Sequence, residues 1–363
     1  MKILFLANDD EGLYKFRKEL IETLLKDNEV FISLPYGNYI EDLKKMGCTF
    51  IKTEFERKGT NPIKDIKLIS FYKKIINKIK PDIVLTYTVK PNVYGGLACQ
   101  MNCIPYLTNI TGGIGSNQKD GLVQKVVQIL YKIGLRKSNK VFFQNSFNMN
   151  IMLDKGLVKE EQCKLIPGSG VNLTEYKVLQ YPENDTVDFV YVGRIMKEKG
   201  FDQYIEAAKY IGKKYKNTRF HICGTFEDDY KQIVEELNGN SIVIYHGSVK
   251  NMTEIYSIIQ CTVHPTYYPE GLSNVLLESS ASGRPIITTD RPGCREVIED
   301  GINGFVVKEK DANDLIEKIE KFLSLSLEER KQLGINGRRK IEKEFDRNIV
   351  INNYLQEINK VKQ

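Results

Sequence analysis

The sequence predicts an α/β protein built from two doubly wound domains. Throughout its 363 residues, short runs rich in β-branched and aromatic residues alternate with longer amphipathic segments of helical period. Uninterrupted apolar strands separated by helices are typical of parallel sheets covered on both faces. The runs form two series on either side of a polar, proline-containing segment at 180–188. We therefore expect a first domain over residues 1–182 and a second over residues 183–345, with a hinge between them.

The predicted strands of the first series are six or seven residues long, with an apolar centre. In chain order they are KILFLAN (2–8), EVFISLP (29–35), CTFIKT (48–53), DIVLTYT (82–88), IPYLTNI (104–110), KVFFQN (140–145) and CKLIPG (163–168). Most spacers between them have helical periodicity, as in LYKFRKELIETLLKD (13–27). Each strand–helix–strand step predicts a parallel crossover.

The predicted strands of the second series follow the same pattern. They are DFVYVGR (188–194), RFHICG (219–224), SIVIYHG (241–247), CTVHPT (261–266), RPIITTD (284–290) and GFVVKEK (304–310). After residue 310 the pattern is almost entirely helical. We expect the last helix, over residues 346–363, to pack back on the first domain.

Charge is distributed unevenly along the chain, whose net charge is +6. Residues 1–180 hold 27 Lys and Arg against 18 Asp and Glu, or +9, which leaves 26 against 29, or −3, for the rest. The N-terminal run MKILFLAND is too short for a signal peptide, and no run reaches the roughly 18 apolar residues of a membrane span. We expect a cytoplasmic protein, peripheral on the inner face of the cell membrane.

Several common sites are disfavoured by the sequence. GGIGSNQ (112–118) and GSGVNL (168–173) lack the third glycine of the dinucleotide-binding fingerprint, and no Walker A motif occurs. Seven scattered cysteines without a C-x-x-C pair predict free thiols, and only three histidines argue against a metal site. We therefore expect neither a nicotinamide cofactor nor a metal.

The segment YVGRIMKEKGFDQYIEAA (191–208) predicts a strand that ends at Gly193 and a loop that enters a helix. Gly193 permits a close backbone approach, and the Arg194 guanidinium and Lys199 ammonium bracket the loop, where they can reach one bound pyrophosphate. Taken alone, the same residues also fit a strand-end arginine and a surface lysine.

A second candidate segment is HPTYYPEGLSNVLLES (264–279), a loop followed by a predicted helix. If that helix begins near Gly271, the free N–H groups of Gly271 to Asn274 form an anion site. Eight helical residues rise about 12 Å, so Glu270 and Glu278 cannot share a proton as a carboxylate pair. They can instead hold two parts of one elongated ligand. The alternatives are a solvated Glu270 and a Glu278 bonded to a neighbouring group.

E-G-L-S-N-V-L-L-E resembles the E-x₇-E signature of the family-4 retaining glycosyltransferases. GRIMKEKG, HICGT, HGSV, YYPEGLSNVLLESSASGRPII and PGCREVIEDGINGFVV follow that family's pattern in order over residues 188–345. In the first half, LYKFRKELI, TVKPNVYG and ITGGIGS resemble hexosyltransferases that build capsular polysaccharides and lipid-linked oligosaccharides. The resemblance implies the GT-B fold, which is two facing Rossmann-like domains with a cleft between them. It also implies a nucleotide-sugar donor, a UDP-sugar by analogy, used without a metal.

The resemblance assigns roles to the residues that match the motifs. Arg194 and Lys199 would hold the donor diphosphate, Glu270 the transferred sugar and Glu278 the ribose. The other residues implied in donor binding are Gly12, in the loop that follows the first predicted strand, and Gly193, Gly271, Leu272, Ser273 and Asn274. Those implied on the acceptor side are Arg17, Lys90, Thr111, Gly112 and Gly113. The implied reaction is front-face transfer with retention at the anomeric carbon.

The sequence departs from many relatives in having no histidine in the first domain, near the reacting carbon. The predicted fourth strand ends at Thr88-Val89-Lys90, and Lys90 is a candidate for part of that role. The three histidines, at 221, 246 and 264, all lie in the second half, and we interpret His264 as a strand-end residue.

The basic first half bears on the acceptor. Residues 61–80 and 121–140 are helix-like, apolar on one side and lysine-rich on the other. They either cover the first sheet with a solvated outer face or contact anionic lipid headgroups or a polyprenyl diphosphate. Without a recognition motif, nucleic acid is disfavoured as a partner. The rival functions are a sugar-nucleotide epimerase of the same architecture and a non-enzymatic basic protein that binds a membrane or nucleic acid.

Overall fold

The computed structural model describes residues 1–53, 62–112, 121–239 and 243–361. They divide into two compact units. The first comprises Met1–Ser169 together with the chain from Asn348 onward, and the second comprises Gly170–Arg347. The division thus falls before residue 182, and the last helix belongs to the first unit.

The first unit is a seven-stranded parallel sheet with helices on both faces. Its strands are β1 (Lys2–Leu6), β2 (Glu29–Leu34), β3 (Thr49–Lys52), β4 (Ile83–Tyr87), β5 (Tyr106–Ile110), β6 (Lys140–Phe143) and β7 (Cys163–Leu165), and the sheet order is β3-β2-β1-β4-β5-β6-β7. Its helices are α1 (Asp10–Leu25), α2 (Ile40–Lys45), α3 (Pro62–Ile79), α4 (Gly96–Met101), α5 (Leu122–Leu135) and α6 (Ser146–Asp154). A π-helical turn over Pro91–Gly95 precedes α4.

The second unit is a six-stranded parallel sheet. Its strands are β8 (Val187–Val192), β9 (Thr218–Cys223), β10 (Val243–Gly247), β11 (Cys261–His264), β12 (Ile286–Thr289) and β13 (Gly304–Val307), in the order β10-β9-β8-β11-β12-β13. Its helices are α7 (Phe201–Lys214), α8 (Lys231–Gly239), α9 (Met252–Ile258), α10 (Asn274–Ala281), α11 (Ala312–Ser324) and α12 (Leu327–Glu344). The last helix, α13 (Arg347–Lys360), belongs to the first unit from Asn348 onward.

The predicted α/β architecture is confirmed, and each of the thirteen predicted strand segments contains a strand. Apolar residues on both faces of each sheet form the hydrophobic cores. One of the two cores of the first sheet includes Tyr354 and Ile358 of α13. In each unit the strand order reverses beside the first strand, β1 or β8. At such a reversal the loops leaving the carboxyl ends of the strands separate, which makes room for a ligand.

None of the helices in the described parts of the chain is both long and apolar enough to cross a membrane.

Candidate active site

The loop that follows β8 begins with a close approach of two backbones. The N–H of Gly193 donates to the carbonyl of Cys223 over 3.0 Å, and Ile195 N–H to Thr225 over 2.8 Å. Gly193 and Gly224 have φ of +146° and +155°, and a Cβ on Gly224 would collide with the Gly193 carbonyl. Glycine is therefore required here, and the pairing fixes the backbone from which Arg194 projects.

Lys199 is positioned by a second close approach. It ends a 3₁₀ turn over Lys197–Lys199, and Gly200 follows with φ +73°, where a Cβ would collide with the carbonyl of Pro265. The N–H of Tyr267 donates to the carbonyl of Glu198 over 2.9 Å. The loop after β8 is thereby joined to the loop after its sheet neighbour β11.

This junction brings Lys199 into an ion pair with Glu270, whose Oε1 accepts from the lysine Nζ. Their side chains are only 12% and 16% exposed. The sequence predicted both residues at the site but not their pairing, since they belong to loops after different strands.

Arg194 lies beside this pair, across the ring of Tyr268. The ring centre is 5.1 Å from the Arg194 guanidinium carbon and 5.1 Å from Lys199 Nζ. Arg194 also pairs with Glu227 at 3.3 Å. Burial alone would lower the arginine pKa, but its hydrogen bonds to Tyr268 and Glu227 raise the pKa overall. Two basic side chains therefore lie against the ring of Tyr268, a residue that sequence reasoning missed.

His264, at the end of β11, is buried close enough to Lys199 to be affected by its charge. The histidine is 1% exposed, and its Nε2 lies 3.3 Å from Ser273 Oγ. Burial, together with the charge of Lys199, lowers the pKa of His264 to about 3. The imidazole is neutral near pH 7, which fits the strand-end role predicted for it.

Helix α10 begins at Asn274, three residues later than predicted. The expectation of four free amides over 271–274 was wrong at Ser273, whose N–H donates to the carbonyl of Gly293 over 2.8 Å. Ser273 is the N-cap residue, and its side chain does not cap the helix. The first turn of α10, over Asn274–Leu276, is therefore the part of this segment that presents helical amides.

The loop between β12 and β13, which contains Gly293, packs against the segment that precedes α10. Gly293 has φ +93°, and a Cβ there would lie 2.7 Å from Glu270 Cβ and 2.9 Å from the Gly271 carbonyl. Glu296 accepts from the N–H of Gly293 over 2.7 Å, and burial raises the pKa of that carboxyl group. Gly271 and Leu272 are themselves buried against this support.

The late helix start also changes the relation between the two glutamates. Glu270 lies outside α10 and Glu278 lies within it, so the helical rise of about 12 Å does not describe their separation. Glu278 is half-buried and lies close enough to Tyr176 for its charge to act on the tyrosine hydroxyl group. Burial, reinforced by the Glu278 charge, raises the pKa of Tyr176. Sequence reasoning missed this tyrosine because it lies about a hundred residues earlier in the chain.

In the first unit, two residues predicted at the site lie on α1. Gly12 lies in the first turn of that helix, not in the preceding loop as expected, and its N–H donates to the N-cap side chain of Asp9 over 2.6 Å. Arg17 is 3% exposed, and its guanidinium carbon lies 5.2 Å from the ring of Tyr87 and 5.8 Å from that of Tyr354.

The other predicted acceptor-side residues of the first unit follow β4 and β5, which are neighbours in the sheet. Lys90 pairs with Asp65 at 3.2 Å, with side chains 15% and 12% exposed. Thr111 is exposed and Gly112 is half-buried. Gly113 lies outside the described residues.

Two further predictions concern metals and thiols. Over the described ranges, no group of three or more His, Cys, Asp or Glu side chains is arranged to hold a metal ion. All seven cysteines are free thiols.

Comparison with known proteins identifies both halves of the chain. Residues 177–340 match the family described as glycosyl transferases group 1, and residues 2–145 match the glycosyl transferase 4-like family. The N,N'-diacetylbacillosaminyl-diphospho-undecaprenol alpha-1,3-N-acetylgalactosaminyltransferase of Campylobacter jejuni is 28% identical, over 98% of this chain and 97% of its own. The UDP-Gal:alpha-D-GlcNAc-diphosphoundecaprenol alpha-1,3-galactosyltransferase of Escherichia coli is 25% identical, over 78% of this chain and 76% of its own.

The fold has a counterpart among solved structures. A glycosyltransferase from Rickettsia africae ESF-5 superposes with a TM-score of 0.82 at 19% identity, over 100% of this chain and 98% of that chain. The two-domain fold predicted from the resemblance is thereby confirmed.

Proposed function

Because the chain belongs to the glycosyltransferases, with a family 4-like first half and a group 1 second half, we propose that it transfers a hexose or N-acetylhexosamine from a UDP-sugar. The acceptor is a lipid-linked or other saccharide, and the product keeps the anomeric configuration of the donor. The observation that carries the proposal is the Lys199–Glu270 ion pair beside Arg194 and the first turn of α10.

In this proposal the donor diphosphate lies at Arg194, Lys199 and the first turn of α10. A guanidinium, an ammonium and helix amides are the three donor types that proteins use most for phosphate. As the glycosidic bond breaks, negative charge grows on the leaving diphosphate, and the two fixed cations stabilise it. This is the work that a divalent metal performs in other enzymes, so the site needs none.

Glu270 has two partners in turn. Without the donor it neutralises Lys199 and keeps a mostly buried ammonium paired. When the diphosphate arrives, the lysine gains a second anion, and the carboxylate is released to accept hydrogen bonds from hydroxyl groups of the transferred sugar. The exchange keeps each buried charge compensated.

Glu278 holds the ribose in the same scheme. A carboxylate accepts from two neighbouring hydroxyl groups at once, and the Tyr176 hydroxyl group lies beside it. Gly193 and residues 271–274 are proposed on the donor side of the second unit. Gly12 remains a donor-side candidate of the first unit, and Arg17, Lys90 and Thr111–Gly113 remain its acceptor-side candidates.

Retention follows from attack on the same face as the departing group, with a phosphate oxygen of the leaving group taking the acceptor proton. No acidic side chain is required for this transfer. The buried, neutral His264 does not compete for the proton, because its pKa of about 3 leaves it a poor base.

The lipid-linked acceptor is proposed from the relatives. The names of the Campylobacter jejuni and Escherichia coli enzymes both specify a diphospho-undecaprenol acceptor, and the second specifies a UDP-sugar. An enzyme that works on such an acceptor acts at the inner face of the cell membrane, as a peripheral protein.

The deciding experiment offers a panel of radiolabelled UDP-, GDP- and ADP-sugars to the purified protein with a membrane extract. We expect label from a UDP-sugar in the lipid fraction and an α-linkage in the product when the donor is α-linked. Turnover of the UDP-sugar without acceptor would indicate an epimerase instead. No transfer from any donor, together with no binding of UDP, would refute the proposal.

A further inference from the structure

Helix α5 carries an exposed aliphatic stripe. The side chains of Val126, Ile129 and Ile133 are 45%, 57% and 42% exposed. At spacings of three and four residues they lie in a row along one side of the helix. Single exposed aliphatic residues are ordinary on protein surfaces, whereas a row of them on one helix face marks a contact surface.

Basic residues border this aliphatic stripe. Lys125, Lys132 and Arg136 are exposed, and at 100° per residue they lie along one flank of it. The helix sequence LVQKVVQILYKIGL contains no acidic residue. The outer face of α5 is therefore both apolar and positively charged.

The opposite face of α5 is fixed in the first unit. Tyr131 is 4% exposed and Leu135 is fully buried. A Cβ on Gly134 would lie 2.7 Å from the Cα of Val93, and the Gly134 carbonyl accepts from the Tyr106 hydroxyl over 2.7 Å. The stripe is thus presented outward by a helix that is anchored along its inner side.

Helix α1 shows what a solvated helix face of the same unit looks like. On it Glu11 pairs with Lys15 at 2.7 Å, and Lys18 with Glu22 at 3.9 Å. Charges of both signs alternate there, as expected for a face in water. On α5, aliphatic side chains bordered by charges of one sign occupy the equivalent outward positions.

We propose that α5 docks the protein on an anionic phospholipid bilayer. The aliphatic stripe enters the boundary between headgroups and acyl chains, and the bordering cations contact headgroup phosphates. The charge of the face favours this occupant over a second copy of the chain, because a symmetric contact would bring the cations of both copies together. The inference rests on the proposed function in one respect, that a lipid-linked acceptor is met at a membrane surface.

The test compares two full-length variants with the wild type by vesicle co-sedimentation. In the first, Val126→Gln, Ile129→Gln and Ile133→Gln are combined. The matched control combines Val178→Gln, Ile302→Gln and Ile335→Gln, whose side chains are 56%, 50% and 42% exposed in the second unit. Vesicles are pure phosphatidylcholine or a 3:1 mixture with phosphatidylglycerol. Circular dichroism and UDP binding without vesicles establish that each variant is folded with an intact donor site.

We expect the wild type and the control to bind the anionic vesicles and not the neutral ones, and the α5 variant to bind at least tenfold more weakly. Raising the salt concentration will weaken wild-type binding, since screening acts on the bordering cations. Equal vesicle binding by the α5 variant and the wild type would overturn the proposal. So would a wild-type dimer that the α5 variant converts to monomer, because the stripe would then be a subunit contact. Intact UDP binding alongside lost vesicle binding separates this proposal from the donor-site proposal.

Discussion

Lys199 and Glu270, 71 residues apart in the sequence, form an ion pair between the loops that follow β8 and β11. The pair places opposite charges within hydrogen-bonding reach at a site where the proposed donor carries a diphosphate and a sugar. Both side chains are mostly buried, and a buried charge is costly without a counter-charge, so each residue stabilises the charge of the other. The ion pair therefore holds both side chains at the proposed donor site with their charges paired.

Replacing the two residues separately will affect donor binding in opposite ways. Lys199→Ala removes a phosphate contact, so we expect UDP to bind roughly tenfold more weakly and turnover to fall by about 10²–10³-fold. Glu270→Ala frees the lysine from its partner, so UDP affinity is held or increased while turnover falls by about 10²-fold. Calorimetry with UDP and initial rates check both.

The double variant tests whether the two residues act as a unit. If they do, the combined loss of turnover is smaller than the product of the two single losses, since one replacement already disrupts the other's role. Fully multiplicative losses would show that the residues work independently and that the ion pair has no part in donor binding.

Glu278 is expected to bind the ribose hydroxyl groups of the donor. Glu278→Ala will weaken UDP binding by about 10–50-fold and change turnover at saturating donor much less. The sharper measurement uses 2′-deoxy-UDP, which lacks one of the two hydroxyl groups. The wild type will prefer UDP over the deoxy compound, and Glu278→Ala will bind both equally. Tyr176→Phe removes a neighbouring hydroxyl group and leaves the carboxylate in place, so its effect will be smaller, about 2–5-fold. An undiminished preference in Glu278→Ala would place the ribose elsewhere.

The strands were predictable from the sequence because each one is a short apolar run with its own boundaries. The position of Lys199 against Glu270 was not, because it depends on β8 and β11 being sheet neighbours although β9 and β10 lie between them in the chain. Sequence order alone does not say which loops meet at the carboxyl edge of the sheet. Tyr268 and Tyr176 were missed for the same reason.

The ends of helices were misjudged where capping decides them. Asp9 accepts the N–H of Gly12 and draws that glycine into α1, whereas Ser273 gives no cap and α10 begins late. Arg17 could have been recognised as buried. It follows Leu13 by four residues and precedes Leu20 by three, so it lies on the apolar stripe of α1.

The buried His264 predicts a specific pH dependence of stability. Its folded pKa of about 3 lies below the ordinary value of 6.5, so the folded state keeps the ring neutral while the unfolded chain protonates it. The stabilisation is complete above pH 6.5 and is lost as the pH falls from 6.5 towards 3. Between pH 7 and pH 5 the wild type should lose about 2 kcal/mol of unfolding free energy through this residue.

Urea unfolding of the wild type and of His264→Asn at pH 7 and pH 5 measures this contribution. His246 also has a lowered pKa, through burial and the nearby His221, but it contributes equally to both proteins and cancels in the difference. We expect the wild type to lose about 2 kcal/mol more than the variant over this interval. Equal losses of unfolding free energy would mean that folding does not lower the pKa of His264.

Gly293 is expected to couple the supporting loop to catalysis. In Gly293→Ala the new Cβ meets Glu270 Cβ at 2.7 Å and the Gly271 carbonyl at 2.9 Å, at a φ of +93°. The alanine must push the glutamate away from Lys199, so turnover should fall by at least tenfold, beyond a loss of about 2–4 kcal/mol in stability. Gly301→Ala is the matched control, because Gly301 has φ +74° with nothing within 4 Å of the added carbon. The control should lose about 1–2 kcal/mol of stability from backbone strain and keep its turnover. If Gly293→Ala matched the control in rate at a temperature where both are folded, the position of Glu270 would not depend on this contact.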